Sequence, residues 1–477
     1  MKVRHGLSRA AYVAWWLGAL CAAPGLLQRT SLLVSLAGIL LPLGFLLFDA
    51  SRVKSGGVTA MTAYSAAAIA TSFANTAALL AANTPKRSEY FLYVSDSHVY
   101  VAMCLALSAA FIPPLAFQFW TSSRTANVVA DLLPKVRGQV ADPQLVFGGT
   151  ILGLGAVLIH MWSSLASLGA LSSVLFFSPL FVTFTLARAG AQRNVRSAYI
   201  CALVVGVAEA ARATLFGYLR GDVAAPFIAF VLGALTGARS LRPLKGRAFL
   251  PIYAAVVLFI AYFGAYGAIR SHTGAGLDRL AAVQQYHDAS QGMPDLTNQT
   301  VLSRLTTINQ LSQIGRLVDE EGELHGQTLA YLAYAFIPRF LWPQKPAIAK
   351  GAWFALRIGL AYVRRDGQIS NAINMTIPGE LYLNYGWTGV FIGLTVLGFF
   401  VAALWRTTDF WRAPRNVLGT AFAFYLMWPW IGFSLGGDLQ ILVTIIAVYL
   451  VLVALGTMLP VARRQRVAST SGNVVYS

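Results

Sequence analysis

Charged residues are scarce in this chain of 477 residues. Asp, Glu, Lys and Arg together make up only 11% of it, whereas hydrophobic residues make up 57% and the mean hydropathy is +0.62. An average soluble domain carries about twice that share of charge. The shortage excludes an ordinary soluble protein and predicts a chain that crosses a membrane many times.

Cysteine is also rare, and the few potential metal ligands are badly spaced. Cys21, Cys104 and Cys201 all fall within apolar segments, which argues against a disulfide framework and a cysteine metal site. The His, Asp and Glu residues match no metal-ligand pattern, and no glycine-rich phosphate loop is present. We therefore predict no metal, no other cofactor and no internal ATPase.

Acidic residues are outnumbered two to one, 18 against 36 basic residues, which leaves a net charge of +18. The basic residues concentrate in alternate polar turns, as the positive-inside rule requires of cytoplasmic segments. The excess therefore reports topology and contact with anionic lipid headgroups. We reject a nucleic-acid partner.

What the chain does contain is a series of apolar segments of membrane-spanning length. They predict an all-α polytopic membrane protein with about 12 transmembrane helices and one large helical periplasmic loop before the last three spans. We expect an N-terminal bundle of about nine spans at 1–269, the outer loop at 270–387, the C-terminal spans at 388–460 and a cytoplasmic tail at 461–477. Both termini are then cytoplasmic. The spans are expected near 10–27, 31–48, 58–82, 98–120, 145–163, 170–187, 197–217, 223–238, 248–268, 388–405, 417–435 and 439–459.

The outer loop is polar but patterned. Apolar residues at helical spacing predict amphipathic helices near 277–286, 301–318 and 353–363. Three prolines within nine residues stop any helix near Ile337. A large ordered loop of this kind is typical of an enzyme that works at a membrane surface.

Two ionisable residues interrupt an otherwise apolar span. Glu209 and Arg212 stand three positions apart, on one helix face. Charged groups in a span normally face the bundle interior. Either they neutralise each other as a structural pair, or Arg212 points into a cavity and binds a ligand anion. Arg220, farther along, is either an anchor at headgroup level or a second anion contact.

The proline-rich turn of the loop carries rigid cations beside aromatic rings. Arg339, Trp342 and Lys345 suit a diphosphate and a sugar, because arginine clamps phosphate oxygens and aromatic faces cover sugar C–H surfaces. The alternative is an interfacial loop at headgroup depth.

Two further residues are candidates for proton transfer. Glu380 follows a Pro-Gly turn just ahead of a span, where a general base would deprotonate an attacking sugar hydroxyl; otherwise it is a charge that favours the helix dipole. His325 follows an acidic cluster and is a candidate base or hydrogen-bond donor, although a lone loop histidine is most often solvated. His272 and His287 are weaker candidates.

Three segments carry a family resemblance: LHGQTL at 324–329, FIPRFLWPQKP at 336–346 and IPGELYLNYGWTG at 377–389. Over about 65 residues they resemble the Wzy-like O-antigen, or oligosaccharide repeat-unit, polymerases, and the rest of the chain is similar only in plan. The resemblance implies ligand-binding arginines at Arg212 and Arg339 and a functional acid at Glu380. Glu209 and His325 have no counterpart in the family pattern.

The resemblance also implies a reaction and its partners. Such an enzyme of the bacterial inner membrane transfers a growing glycan from undecaprenyl diphosphate to the next lipid-linked repeat unit, building a surface polysaccharide. The partners are that lipid-linked oligosaccharide, membrane lipid and a chain-length regulator protein. The diphosphate is already the leaving group, so neither a nucleotide nor a metal is implied.

Three alternatives stay open. The sequence distinguishes poorly between a polymerase and an O-antigen ligase. A lipid-linked oligosaccharide transporter has little need of so large a loop, and the chain shows no inverted repeat. A structural or sensor protein would leave the Pro-Arg and Pro-Gly-Glu segments without a purpose.

Overall fold

The computed structural model describes the chain in segments. These are residues 2–52, 59–82, 94–122, 128, 132–138, 140–160, 170–193, 195–216, 220–237, 306–335, 337, 341–346, 350–363, 365, 367, 369–410, 415–433 and 439–458. The ninth expected span, at 248–268, the loop helix expected at 277–286, and His272 and His287 lie outside these residues, and so does Arg339.

The described residues are helical and contain no β-strand beyond one isolated bridge between Val363 and Ile369. The all-α prediction is therefore confirmed for them. A 3₁₀ helix spans Gln327–Ala333. The α-helices are α1 (Lys2–Gln28), α2 (Ser31–Arg52), α3 (Ala60–Ala82), α4 (Asp96–Ser122), α5 (Asp142–Ile159), α6 (Ala170–Arg193), α7 (Arg196–Phe216), α8 (Arg220–Gly237), α9 (Ile308–Glu321), α10 (Lys350–Arg357), α11 (Ile377–Thr407), α12 (Val417–Phe433) and α13 (Gln440–Met458).

Seven of the described helices are long and apolar enough to cross a membrane, and they lie in α1, α2, α4, α5, α7, α11 and α13. Two shorter apolar helices, Val223–Gly237 and Val417–Trp428, accompany them. Helix α11 begins at Ile377, ahead of the span expected at 388–405, and its backbone breaks at Tyr385 and Gly386, just before that span.

Helices α4 and α11 run side by side in the same direction. Near their middle, Gly398 approaches the carbonyl of Pro113 so closely that a Cβ would clash with it. At their C-terminal ends, Arg406 Nη2 donates to the carbonyl of Thr121 at 2.8 Å. Their N-terminal ends both meet α9, whose Gly315 packs on His98 of α4 and whose Ile314 packs on Gly379 of α11. The polar loop between α8 and α11 therefore packs against one end of this helix pair.

Helix α9 is the amphipathic helix that the apolar spacing predicts. Its buried face includes Leu311, Ile314 and Leu317, which join the main hydrophobic core, while Asp319 and Glu320 face out. Apolar burial of this kind is what stabilises a short helix in water. Its position explains how a loop helix is fastened to the bundle.

The opposite end of the bundle is organised by buried polar side chains. Asn416 accepts the N–H of Gly138 and donates to the carbonyls of Val136 and Thr408, at 2.7–3.0 Å. Arg188 is buried and donates to the Phe410 carbonyl at 2.7 Å. These bonds satisfy backbone groups that no regular helix can pair.

Candidate functional site

Glu380 lies in the first turn of α11 and is completely buried. Three elements reach its carboxylate. Lys350 Nζ donates to Oε1 at 2.8 Å, the Thr328 hydroxyl donates to Oε1 at 3.4 Å, and the backbone N–H of Leu439 donates to Oε2 at 3.2 Å. The residue predicted as the functional acid thus joins the 3₁₀ helix, α10 and the start of α13 to α11.

The local sequence places this carboxylate. Thr376 caps α11 by accepting the N–H of Gly379 on its hydroxyl, and Pro378 occupies the first turn, where its missing N–H has no helical partner to lose. Thr376 has φ 64° and ψ 156°, a conformation that costs a non-glycine residue about 1–3 kcal/mol. Backbone strain of this kind clusters at functional sites.

Lys350, which the sequence did not single out, supplies the counter-charge. Only 10% of its side chain is exposed, and its ammonium lies 3.9 Å from the centre of the Tyr331 ring. Lys350 is the first residue of α10, and a positive charge at a helix N-terminus interacts unfavourably with the helix dipole. Its position therefore does not stabilise α10. The buried glutamate explains the placement instead.

Asn384 is the second residue that sequence reasoning missed. Its amide donates to the Glu380 carbonyl and to the Thr328 hydroxyl, both at 2.7 Å. Since a carbonyl only accepts, this bond settles which end of the amide is the NH₂ group. The Asn384 side-chain oxygen is buried and has no hydrogen-bond partner among the residues that the structure describes. Such an atom is an acceptor available to a hydroxyl or a water.

The break in α11 attaches the loop beside this cluster. Gly386 has φ 55°, which interrupts the helix and leaves the preceding carbonyls without their usual donors. The N–H of Leu324 donates a hydrogen bond to the Leu383 carbonyl at 2.9 Å, and the N–H of His325 donates one to the Asn384 carbonyl at 3.0 Å. His325 therefore contacts the site through its backbone, and its side chain is exposed.

Lys345 stabilises the proline-rich turn of the loop. Lys345 Nζ donates to the carbonyls of Ala335 and Ile337 at 3.0 and 2.9 Å, so its charge already serves the turn. The partly exposed ring of Trp342 packs edge-on against Tyr334, with 6.0 Å between ring centres. Within the described residues, the turn matches the interfacial loop more closely than the diphosphate and sugar site, because the charge of Lys345 is already bound by the turn itself.

Glu209 and Arg212, in α7, form an ion pair in which each neutralises the charge of the other. Arg212 donates from Nε and Nη2 to both oxygens of Glu209, at 2.9 and 2.7 Å, and His160 Nδ1 lies 3.8 Å from the same carboxylate. The pair uses two of the five N–H donors of the Arg212 guanidinium. Arg220 begins α8, and its side chain lies outside the described part of the structure.

A family model described as a domain of unknown function (DUF8712) matches residues 145–459, about two thirds of the chain. The matched region includes the Glu380 cluster and the pair in α7. No curated protein and no solved structure matches the chain.

Proposed function

Since this chain belongs to the family described as a domain of unknown function (DUF8712), we propose its activity from its own residues: it is a membrane glycosyltransferase that joins lipid-diphosphate-linked oligosaccharides. Glu380 is its acid-base group. The resemblance of the loop segments to repeat-unit polymerases supports this choice over a ligase. About 12 spans, an inner-membrane location, cytoplasmic termini and a periplasmic loop complete the proposal.

One observation carries the proposal: the buried pair of Glu380 and Lys350 at the start of a membrane helix. A buried ion pair is seldom the most stable choice, because hydrophobic residues of the same volume do as well or better. Ionisable residues in a membrane helix are rare and mark functional sites. The pair lies under loop elements, where a lipid-linked substrate would meet protein at headgroup height.

The chemistry asks for a carboxylate in that place. The hydroxyl of the acceptor sugar attacks the anomeric carbon of the donor, and the bond from that carbon to the diphosphate oxygen breaks. The hydroxyl proton passes to Glu380, and the bond electrons leave with the lipid diphosphate. Lys350 neutralises the charge of the carboxylate before the transfer, and the side-chain oxygen of Asn384, which has no partner among the described residues, accepts a hydrogen bond from a second sugar hydroxyl.

The substrate reaches Glu380 only if its cover moves. The cover consists of two short elements, the 3₁₀ helix Gln327–Ala333 and α10, which hold the carboxylate through Thr328 and Lys350. Opening of short elements over a site, followed by closure that excludes water, is common in transferases whose donor hydrolyses easily. His325, exposed beside the cover, is a second candidate for proton transfer.

The test is reconstitution of the purified protein with a synthetic undecaprenyl-diphosphate repeat unit. We expect a glycan ladder spaced by one repeat. Glu380→Gln should abolish it, whereas Glu321→Gln, which removes one charge from the exposed pair of Glu321 and Arg357, should leave it intact. A normal ladder from folded Glu380→Gln would remove the assignment. Transfer only to a lipid A core acceptor would identify a ligase.

A further inference from the structure

A groove of about 490 Å³ lies between the first half of α5 and the start of α7. Its walls belong to the outside of the bundle, since Phe147 and Ile151 are 72% and 55% exposed. Most of the lining is apolar, from Pro143, Val146, Phe147, Ile151, Val195 and Cys201. Such a groove on a membrane-spanning helix faces lipid.

The groove opens at the end of the bundle away from Glu380. The chain just before α5 is hydrogen-bonded to the C-terminal end of α11, because the N–H of Val136 donates to the Thr407 carbonyl at 3.0 Å. Gly138 is bonded to Val417, at the start of α12. Asp142, at the mouth of the groove, follows four residues later. The groove and the glutamate therefore belong to opposite membrane surfaces.

The depth of the groove fits one leaflet. Its lining on α5 extends from Asp142 to Ile151, which is roughly 14 Å at the rise of an α-helix. Half of the hydrocarbon core of a bilayer is about 15 Å. An acyl chain that begins at the headgroup level of this surface would run the length of the groove.

The rim carries an excess of positive charge. Arg193 is paired with Asp142, and burial, followed by the nearby charge of Arg415, lowers the pKa of Arg193. Arg196 opens α7 beside the lining residue Ser197. Arg196 and Arg415 are exposed and form no ion pair with any residue that the structure describes. The N-terminus of α7 adds its own partial positive charge at the same place.

We propose that this groove binds an anionic phospholipid of the bilayer, with one acyl chain between α5 and α7 and the headgroup phosphate held by Arg196 and Arg415. The apolar walls accommodate the chain, and the two arginines select a negative headgroup. This site is independent of the proposed glycosyl transfer.

The experiment uses the full chain, delipidated in detergent, with phosphatidylglycerol and phosphatidylcholine added in turn. Native mass spectrometry measures how much of each lipid is bound. Phosphatidylglycerol should bind at least tenfold more tightly. Replacing Arg196 and Arg415 together by Gln should remove most of that preference, since each cation near a headgroup contributes about a fivefold factor. The charge-matched control replaces Arg357 and Arg365, at the other end, by Gln and should retain it.

A second variant pair tests the chain-binding walls. Ile151→Trp fills the groove and should weaken phosphatidylglycerol binding, whereas Leu152→Trp, on the neighbouring exposed face of α5, should not. Should Ile151→Trp fail to fold, a phospholipid with a photoreactive acyl chain still tests the unaltered protein, and labelling should fall within residues 142–151 and 195–201. Equal binding of both lipids, or labelling elsewhere, would overturn the proposal. Displacement of phosphatidylglycerol by undecaprenyl phosphate at equal concentration would reassign the groove to the carrier lipid.

Discussion

The side-chain oxygen of Asn75, in α3, accepts the backbone N–H of Thr307 at 2.8 Å and that of Ile308 at 3.2 Å. It also accepts the hydroxyl of Thr306 at 2.9 Å. Thr307 itself provides no side-chain cap. A residue of α3 thus caps the first helix described in the loop between α8 and α11, more than 200 residues away, and fixes where that loop meets the bundle.

Asn75→Ala should destabilise the protein by about 2 kcal/mol, because buried N–H groups at the start of α9 lose their acceptor. Denaturant titration in detergent measures the change in the free energy of unfolding, and limited proteolysis reports release of the loop. Asn309→Ala, on α9 itself, is the control, since the Asn309 side-chain oxygen accepts no hydrogen bond in the described structure. Equal losses from both variants would contradict the cap.

Lys350→Met should cost about 3–5 kcal/mol of stability, since it leaves the Glu380 carboxylate buried beside an apolar side chain. The double variant Lys350→Met with Glu380→Gln should recover most of that loss and still form no glycan ladder. The free energies of unfolding of the two single variants and the double variant give the coupling energy. A coupling near zero would show that the two groups do not interact in the membrane.

The pair in α7 predicts a different pattern. Arg212→Met alone should destabilise the protein, because Glu209 stays buried without its bidentate partner. The double variant Glu209→Gln with Arg212→Met should restore stability and keep ladder formation within about threefold of the wild type, a difference worth about 0.7 kcal/mol. Loss of activity in a stable double variant would favour the ligand-binding role of Arg212.

Gly386→Ala should destabilise the protein and loosen the loop, because the residue has φ 55° and ψ −149°, a conformation that is strained for any residue with a Cβ. Gly155→Ala is the matched control in α5, where a Cβ meets nothing within 4 Å; it should stabilise the helix by up to about 1 kcal/mol. Thermal unfolding of both variants checks the contrast, and a neutral Gly386→Ala would rule out a fixed kink.

The sequence reveals what depends on short stretches of chain. Eleven of the 12 expected spans fall on described helices, and seven of those helices are long and apolar enough to cross a membrane. They can be recognised because transfer of apolar residues into lipid depends on each segment separately. The amphipathic helix α9 follows from the spacing of its apolar residues in the same way. Glu380 could also be predicted as a site residue, since an acidic residue after a Pro-Gly turn just ahead of a span can be recognised from the sequence alone.

Only the tertiary structure decided what surrounds that acid. Nothing in the sequence marks Lys350, and the resemblance includes Thr328 and Asn384 in its segments without giving either a role. Each is an ordinary polar residue until folding brings it to Glu380. The fate of Arg212 was open for the same reason: spacing places it beside Glu209, but only packing shows whether its guanidinium binds that carboxylate or faces a cavity. Membrane insertion is a property of segments, whereas burial and charge pairing depend on how distant segments pack together.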